Sequence, residues 1–161
     1  MLVINGWQVF AHPLFLDQIE KLTDAVERAK AKDPIGFQKT ANAKLLAALR
    51  IVAFETIPSD PTCPQYRQGG TLGADHKHWF RAKFGGQRFR LFFRYNAAAK
   101  LIILAWVNDA DTLRTYGAKT DAYAVFRSML DGGNPPDNWA ALLKTATDRA
   151  AAERLSGLGP D

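Results

Sequence analysis

Between His78 and Val107 the apolar residues stop recurring at helical spacing and alternate one by one. Phe80, Ala82 and Phe84 alternate with Trp79, Arg81 and Lys83, and Phe89, Leu91, Phe93 and Tyr95 alternate with Arg88, Arg90, Phe92 and Arg94. Successive side chains of a strand point to opposite faces, so the pattern predicts two strands, 78–84 and 88–95, each with an apolar and a polar face. Gly85-Gly86 between them makes a turn and an antiparallel hairpin. A third strand, Leu101–Val107, is apolar on both faces and belongs in the centre of the sheet, with neighbours that each carry one basic face. A further short strand is expected near Tyr66.

The flanking segments read as helices. Leu16, Ile19, Leu22, Val26 and Ala29 recur at helical spacing and predict a helix over 17–31, with acidic residues early and Lys30 and Lys32 late, as the helix dipole favours. Asp33-Pro34 reads as an N-cap and first helical residue of a second helix reaching Ile57, ended by Pro58, Pro61 and Pro64. The first 57 residues therefore predict a helical hairpin. After the strands, Thr120 is expected to cap a helix through Leu130 that stops at Gly132-Gly133, and Asn134-Pro135 to start another that carries Trp139, Leu142, Leu143 and Ala146. The whole predicts an α+β fold: an N-terminal helical hairpin packed on a small antiparallel sheet, followed by C-terminal helices. Residues 1–150 are expected to form one domain and 151–161 a frayed, flexible tail.

At 161 residues and 47% apolar composition the chain can bury an ordinary core. No apolar run approaches bilayer length, and MLVINGWQVF lacks the basic start and long apolar stretch of a signal peptide. With Cys63 as its single cysteine the chain has no internal disulfide, and the expected location is the cytoplasm, with no membrane partner.

Charge is concentrated on the strands. His76–Asn108 holds seven Lys/Arg (Lys77, Arg81, Lys83, Arg88, Arg90, Arg94 and Lys100) and no Asp or Glu, whereas residues 1–75 carry eight of each sign and 109–161 six basic and eight acidic. The net +5 is thus one basic segment with a compensating remainder. Merging the two polar strand faces would set five cations on one surface with no acidic partner from the segment itself, a polyanion-binding pattern. A solvated face salt-bridged to the helices is the plainer alternative. Downstream, Arg114, Tyr116 and Lys119 are of the kinds that bind or protonate phosphate, and Tyr116 reads equally as a half-buried core ring.

Other candidates are weaker. His76 and His78 have a spacing that could serve a zinc pair, but no Cys/His/Asp set in the sequence completes a tetrahedral site, so no metal is expected. Either histidine remains a candidate base in RNA cleavage. His12, before Pro13, reads as structural, Cys63 as inert, and Trp7 and Trp139 as packing residues. No phosphate-binding glycine loop or hydrolase elbow is present.

The run Phe80–Phe84, a glycine turn and Arg88–Tyr95 resembles the strand core of RelE-superfamily toxins. More closely, the chain resembles the YhaV family of type II toxin–antitoxin toxins, through NGW at Asn5–Trp7, AHP at Ala11–Pro13, KLL at Lys44–Leu46, RLFFRY at Arg90–Tyr95, TLRTYG at Thr112–Gly117 and KTDAY at Lys119–Tyr123. The resemblance spans roughly residues 5–145.

It implies a RelE-like fold and a cofactor-free, metal-independent endoribonuclease that cleaves mRNA, often on the ribosome, and arrests translation. In that chemistry the 2′-hydroxyl attacks the adjacent phosphate and leaves a 2′,3′-cyclic phosphate. By motif position it implies Arg81, Lys83, Arg90 and Tyr116 as catalytic residues, with Lys77, Arg88, Arg94, Arg114, Lys119, His76 and His78 on the RNA-binding surface. The base or acid would be Tyr116, His76 or His78. The implied partner is a PrlF-type antitoxin with an AbrB-like DNA-binding fold, through which the complex would reach promoter DNA. A non-catalytic RNA-, ribosome- or DNA-docking protein of the same fold, and a gyrase-poisoning toxin of the ParE type, are the alternatives.

Overall fold

In the computed structural model, which describes residues 1–160, the chain opens with strands rather than helices. β1 (Leu2–Ile4) and β2 (Trp7–Ala11) form an antiparallel hairpin across Asn5-Gly6, both at positive φ (51° and 82°). Such a two-residue turn matches the twist of its strands, and Asn-Gly is its favoured sequence. Then come α1 (Pro13–Lys32), α2 (Ala41–Ile51), a π-helical turn over Val52–Thr56 and a last short turn, α3 (Ile57–Ser59). The strands β3 (Phe80–Phe84), β4 (Phe89–Asn96) and β5 (Leu101–Val107) follow, and the chain ends with α4 (Ala122–Asp131), α5 (Trp139–Ala146) and α6 (Arg149–Leu158).

The α+β class and the three later strands stand as expected, with β5 central in the order β1-β2-β5-β4-β3. The expected N-terminal helical hairpin is present as α1 and α2 but is not N-terminal. The sheet is mixed instead of antiparallel, because β2 pairs parallel to β5 through the α1–β4 crossover. Near Tyr66 there is only a single bridge, Arg67 to Phe80.

Helix boundaries differ where capping chemistry was misplaced. The imidazole Nδ1 of His12 accepts from Leu14 N at 3.1 Å, so α1 begins at Pro13 and not near Asp17. Asp33 closes α1, accepting from Gly36 N at 3.0 Å, and Thr40 caps α2 instead. Asp121 rather than Thr120 caps α4, and Asn138 rather than Asn134 caps α5. The alanine-rich end is helical over Arg149–Leu158: α6 buries Ala151 and Leu155, and Arg154 reaches Asp17 and Glu20 at 2.6 Å each.

Two apolar layers flank the sheet. On one face Leu91, Phe93, Ile102 and Leu104 meet Phe15, Leu16 and Ile19 of α1, Leu49 of α2 and Leu155 of α6. On the other, Phe92, Ile103 and Trp106 meet Phe126 and Leu130 of α4 and Leu142 and Ala146 of α5. Leu104 stands opposite Phe93 and Trp106 opposite Phe92, so Ala105 is the extra residue of a bulge. The bulge turns Trp106 to the α4 side and Val107 back to the α1 side, breaking the alternation of β5. The face expected to be open and basic is therefore roofed in part by α4 and α5, which bury Arg90 and half-bury Arg81 and Arg94 while Lys83 and Arg88 stay exposed.

Candidate active site

Arg81 lies opposite Phe92 and Lys83 opposite Arg90 across the β3–β4 hairpin, so the basic residues do share one face. The hairpin turns at Gly85 and Gly86, both at positive φ. A Cβ on Gly85 would come within 2.8 Å of the Phe89 ring, so a side chain there would clash besides adopting a strained backbone.

Tyr123, in the first turn of α4, organises that face. Its hydroxyl accepts from Arg81 Nε at 2.8 Å and from Arg90 Nε at 3.0 Å. Arg81 is held further by Gln65 O at 2.8 Å and Arg90 by Gln87 O at 2.9 Å. Arg90 is only 5% exposed, Arg81 is half-buried and Lys83 is exposed. Among the described residues no carboxylate lies within ion-pair distance of Arg81, Lys83, Arg88 or Arg90. Two adjacent guanidiniums with only neutral acceptors leave a local positive field for a ligand to offset.

Two buried side chains carry this arrangement to the next segment. Asn108 accepts from Arg90 N at 2.6 Å and donates to Arg88 O and Thr112 O. Asp121, 3% exposed, caps α4 through Tyr123 N and also takes Arg114 Nη1 at 2.7 Å and Thr115 N at 2.6 Å. Burial works against the charge on Arg114, but its contacts with Tyr116 and Asp121 outweigh that and raise its pKa. The Arg114 guanidinium lies 3.8 Å from the ring centre of Tyr116 and 4.5 Å from that of Tyr123. Tyr116 itself is 82% exposed, an apolar ring in water backed by a cation and not a core residue. An open cleft of about 490 Å³ begins here, lined by Arg114, Lys119, Tyr123, Arg127, Thr71 and Asp131.

The other expected site residues lie elsewhere. Lys77 and Arg88 are exposed, and Arg88 folds back onto Gly85 O. Arg94 is sandwiched between Trp79 and Trp139, 5.4 and 5.1 Å from their ring centres, and donates to Asp137 O at 2.6 Å. Burial lowers its pKa, with the Asp137 charge opposing. His76 and His78 both turn to Asp137. Outside the basic segment, Asp137 takes the two histidines and Asp121 takes Arg114, and neither carboxylate pairs with Arg81 or Arg90. Tyr123, Asp121 and Asn108 were not singled out in the sequence. The signal for the first two was Asp-Ala-Tyr at the opening of a helix, where a capping carboxylate fixes the residue two places on.

Residues 9–147 match the family model for a toxin with endonuclease activity, of a toxin–antitoxin system, the YhaV toxins. The chain belongs to the YhaV toxin family. It is 49% identical over 142 residues to the ribonuclease toxin YhaV of Escherichia coli strain K12, covering 88% of this chain and 92% of that relative, and equally similar to toxin YhaV of Escherichia coli O157:H7. No solved structure matches at a significant level. No helix among the described residues is long and apolar enough to cross a membrane.

Proposed function

We propose that this YhaV-family toxin is a metal-independent endoribonuclease whose site comprises Arg81, Lys83, Arg90, Arg114 and Tyr116. The observation that carries the reading is the pair of guanidiniums, Arg81 and Arg90, meeting at Tyr123 without a carboxylate to neutralise them. The name of the Escherichia coli relative, a ribonuclease toxin, favours RNA as the polyanion.

In the proposed reaction the 2′-oxygen forms a bond to phosphorus while the bond from phosphorus to the 5′-oxygen breaks. The hydroxyl proton leaves to a base and the departing 5′-oxygen takes one up. Arg81 and Lys83 bind the phosphoryl oxygens, and the arginine fork can hold two at once. Arg90, being buried, acts through its charge and by fixing Tyr123. Tyr116 supplies the proton-transferring hydroxyl or stacks on a base beside the cleaved bond. Lys77, Arg88 and Lys119 flank the site as phosphate contacts. His76, His78 and Arg94 are left out, because their polar atoms are engaged around Asp137.

The antitoxin is proposed to be of the PrlF type, with an acidic segment covering the basic face. The substrate is mRNA, reached in the cytoplasm and on the ribosome, and promoter DNA is bound through the complex. The test is cleavage of a defined mRNA by purified protein, with and without programmed ribosomes, mapping both new ends. Ends bearing 2′,3′-cyclic phosphate and 5′-hydroxyl are expected. Tight, salt-sensitive RNA binding with no new ends would replace the enzyme by a docking protein.

A further inference from the structure

On the same face as Arg94, two segments far apart in sequence converge. His76 Nδ1, His78 Nε2 and Trp79 Nε1 all approach one oxygen of Asp137, at 2.9, 2.9 and 2.8 Å. The two histidine nitrogens and the carboxylate oxygen lie within 4.8 Å of one another.

We propose that His76, His78 and Asp137 form a divalent transition-metal site, of the kind zinc occupies, separate from the cleavage site. The donor set is suitable: neutral imidazole and carboxylate are zinc ligands at about 2.0–2.1 Å, and two ligands of one ion at that distance stand about 3 Å apart. The surroundings are those of a supported site. The other nitrogen of His76 faces Asp131 at 3.8 Å, the outer carboxylate that orients a ligating imidazole. The Trp79 N–H holds the ligating carboxylate, and Trp79 is fully buried against Phe126. With His78 half-exposed, solvent reaches the site and can fill the fourth position. On binding, each ring exchanges its proton through solvent from the nitrogen that faces Asp137 to its other ring nitrogen, and the freed lone pair turns to the ion. The ion would fasten the loop before β3 to the connection between α4 and α5.

The experiment uses the whole protein, stripped with chelator and dialysed against micromolar zinc, with bound metal measured by atomic emission and the thermal midpoint recorded. One zinc per chain and a raised midpoint are expected, both lost in His78→Ala and in Asp137→Asn. The asparagine keeps an acceptor for Trp79, so that variant remains folded by circular dichroism. Absence of zinc from the parent protein, or uptake undiminished in both variants, would overturn the proposal and leave a hydrogen-bonded cluster only.

Discussion

Arg81 and Arg90 stand on neighbouring strands and aim their Nε–H groups at the same oxygen, the hydroxyl of Tyr123. A phenol can accept two such bonds and still keep its own proton, so it holds two like charges together without cancelling either. Tyr123→Phe removes the acceptor and leaves one buried and one half-buried donor unmatched. The expected cost is about 1–3 kcal/mol in urea unfolding. Single-turnover cleavage should also fall, on the order of tenfold or more, because both guanidiniums lose their aim. Normal cleavage by a destabilised Tyr123→Phe protein would make the contact purely structural.

The three strand cations should separate by burial. Arg81→Ala should lower cleavage by roughly 10²–10³, as when one donor to a developing charge is removed, with little change in stability. Lys83, exposed at the hairpin, should give a different signature: Lys83→Ala weakens RNA binding evenly across sequences and reduces the slope of log affinity against log salt by about 0.7–1. Arg90→Ala should be the variant that unfolds most easily, since Arg90 is 5% exposed and carries contacts to Tyr123 and Gln87. Equal unfolding midpoints for Arg81→Ala and Arg90→Ala would contradict this division.

Much of the strand core was legible because it depends on period two alone: β5 was bounded at Leu101–Val107, and the shared face of Arg81, Lys83 and Arg90 followed from alternation. The N-terminal hairpin is equally legible, since Asn5-Gly6 between Leu-Val-Ile and the alternating Trp7, Val9 and Ala11 is a strong turn signal. What covers the basic face was not legible. Alternation separates two faces of a strand but does not say which is roofed, and Asp137 lies far along the chain from the two histidines it holds. His76 and His78 drew notice by their spacing, while their third partner lies 59 residues beyond His78. Tyr123 was hidden for a further reason: as an apolar-stripe residue of α4 it looks like packing until its hydroxyl is placed.

His12 gives a pH prediction whose sign follows from its geometry. Burial lowers its pKa from the ordinary 6.5, with Asp17 opposing, and its unprotonated Nδ1 caps α1 by accepting from Leu14 N. The unfolded chain therefore binds the proton more readily than the folded one. This contribution to stability is complete above about pH 6.5 and is lost as pH falls through that value toward the lower folded pKa. His12→Asn keeps a capping acceptor without titrating. Urea unfolding at about pH 7.5 and about pH 5.5 should show a smaller drop in the variant than in the parent. An identical drop would assign the dependence to other groups.

The last helix offers a test of what closes the fold. Glu20 and Asp17 of α1 take the two arms of Arg154, Arg50 of α2 donates to Leu158 O at 2.6 Å, and Leu155 is 1% exposed among residues of the first apolar layer. The ion pairs are partly or wholly exposed at their acidic ends, so Arg154→Ala should cost about 1 kcal/mol or less. Leu155→Ala leaves a cavity beneath α6 and should cost about 2–5 kcal/mol. A loss that size is a large part of the stability of a domain this small. Because Leu155 packs on the α1 side of the sheet and the cleavage cluster lies on the α4 side, folded Leu155→Ala protein should cleave at the parent rate at low temperature. Its thermal midpoint should nonetheless fall by several degrees. Parent-like melting of Leu155→Ala would mean that the chain beyond Thr147 contributes nothing to the core, as its alanine-rich sequence suggests.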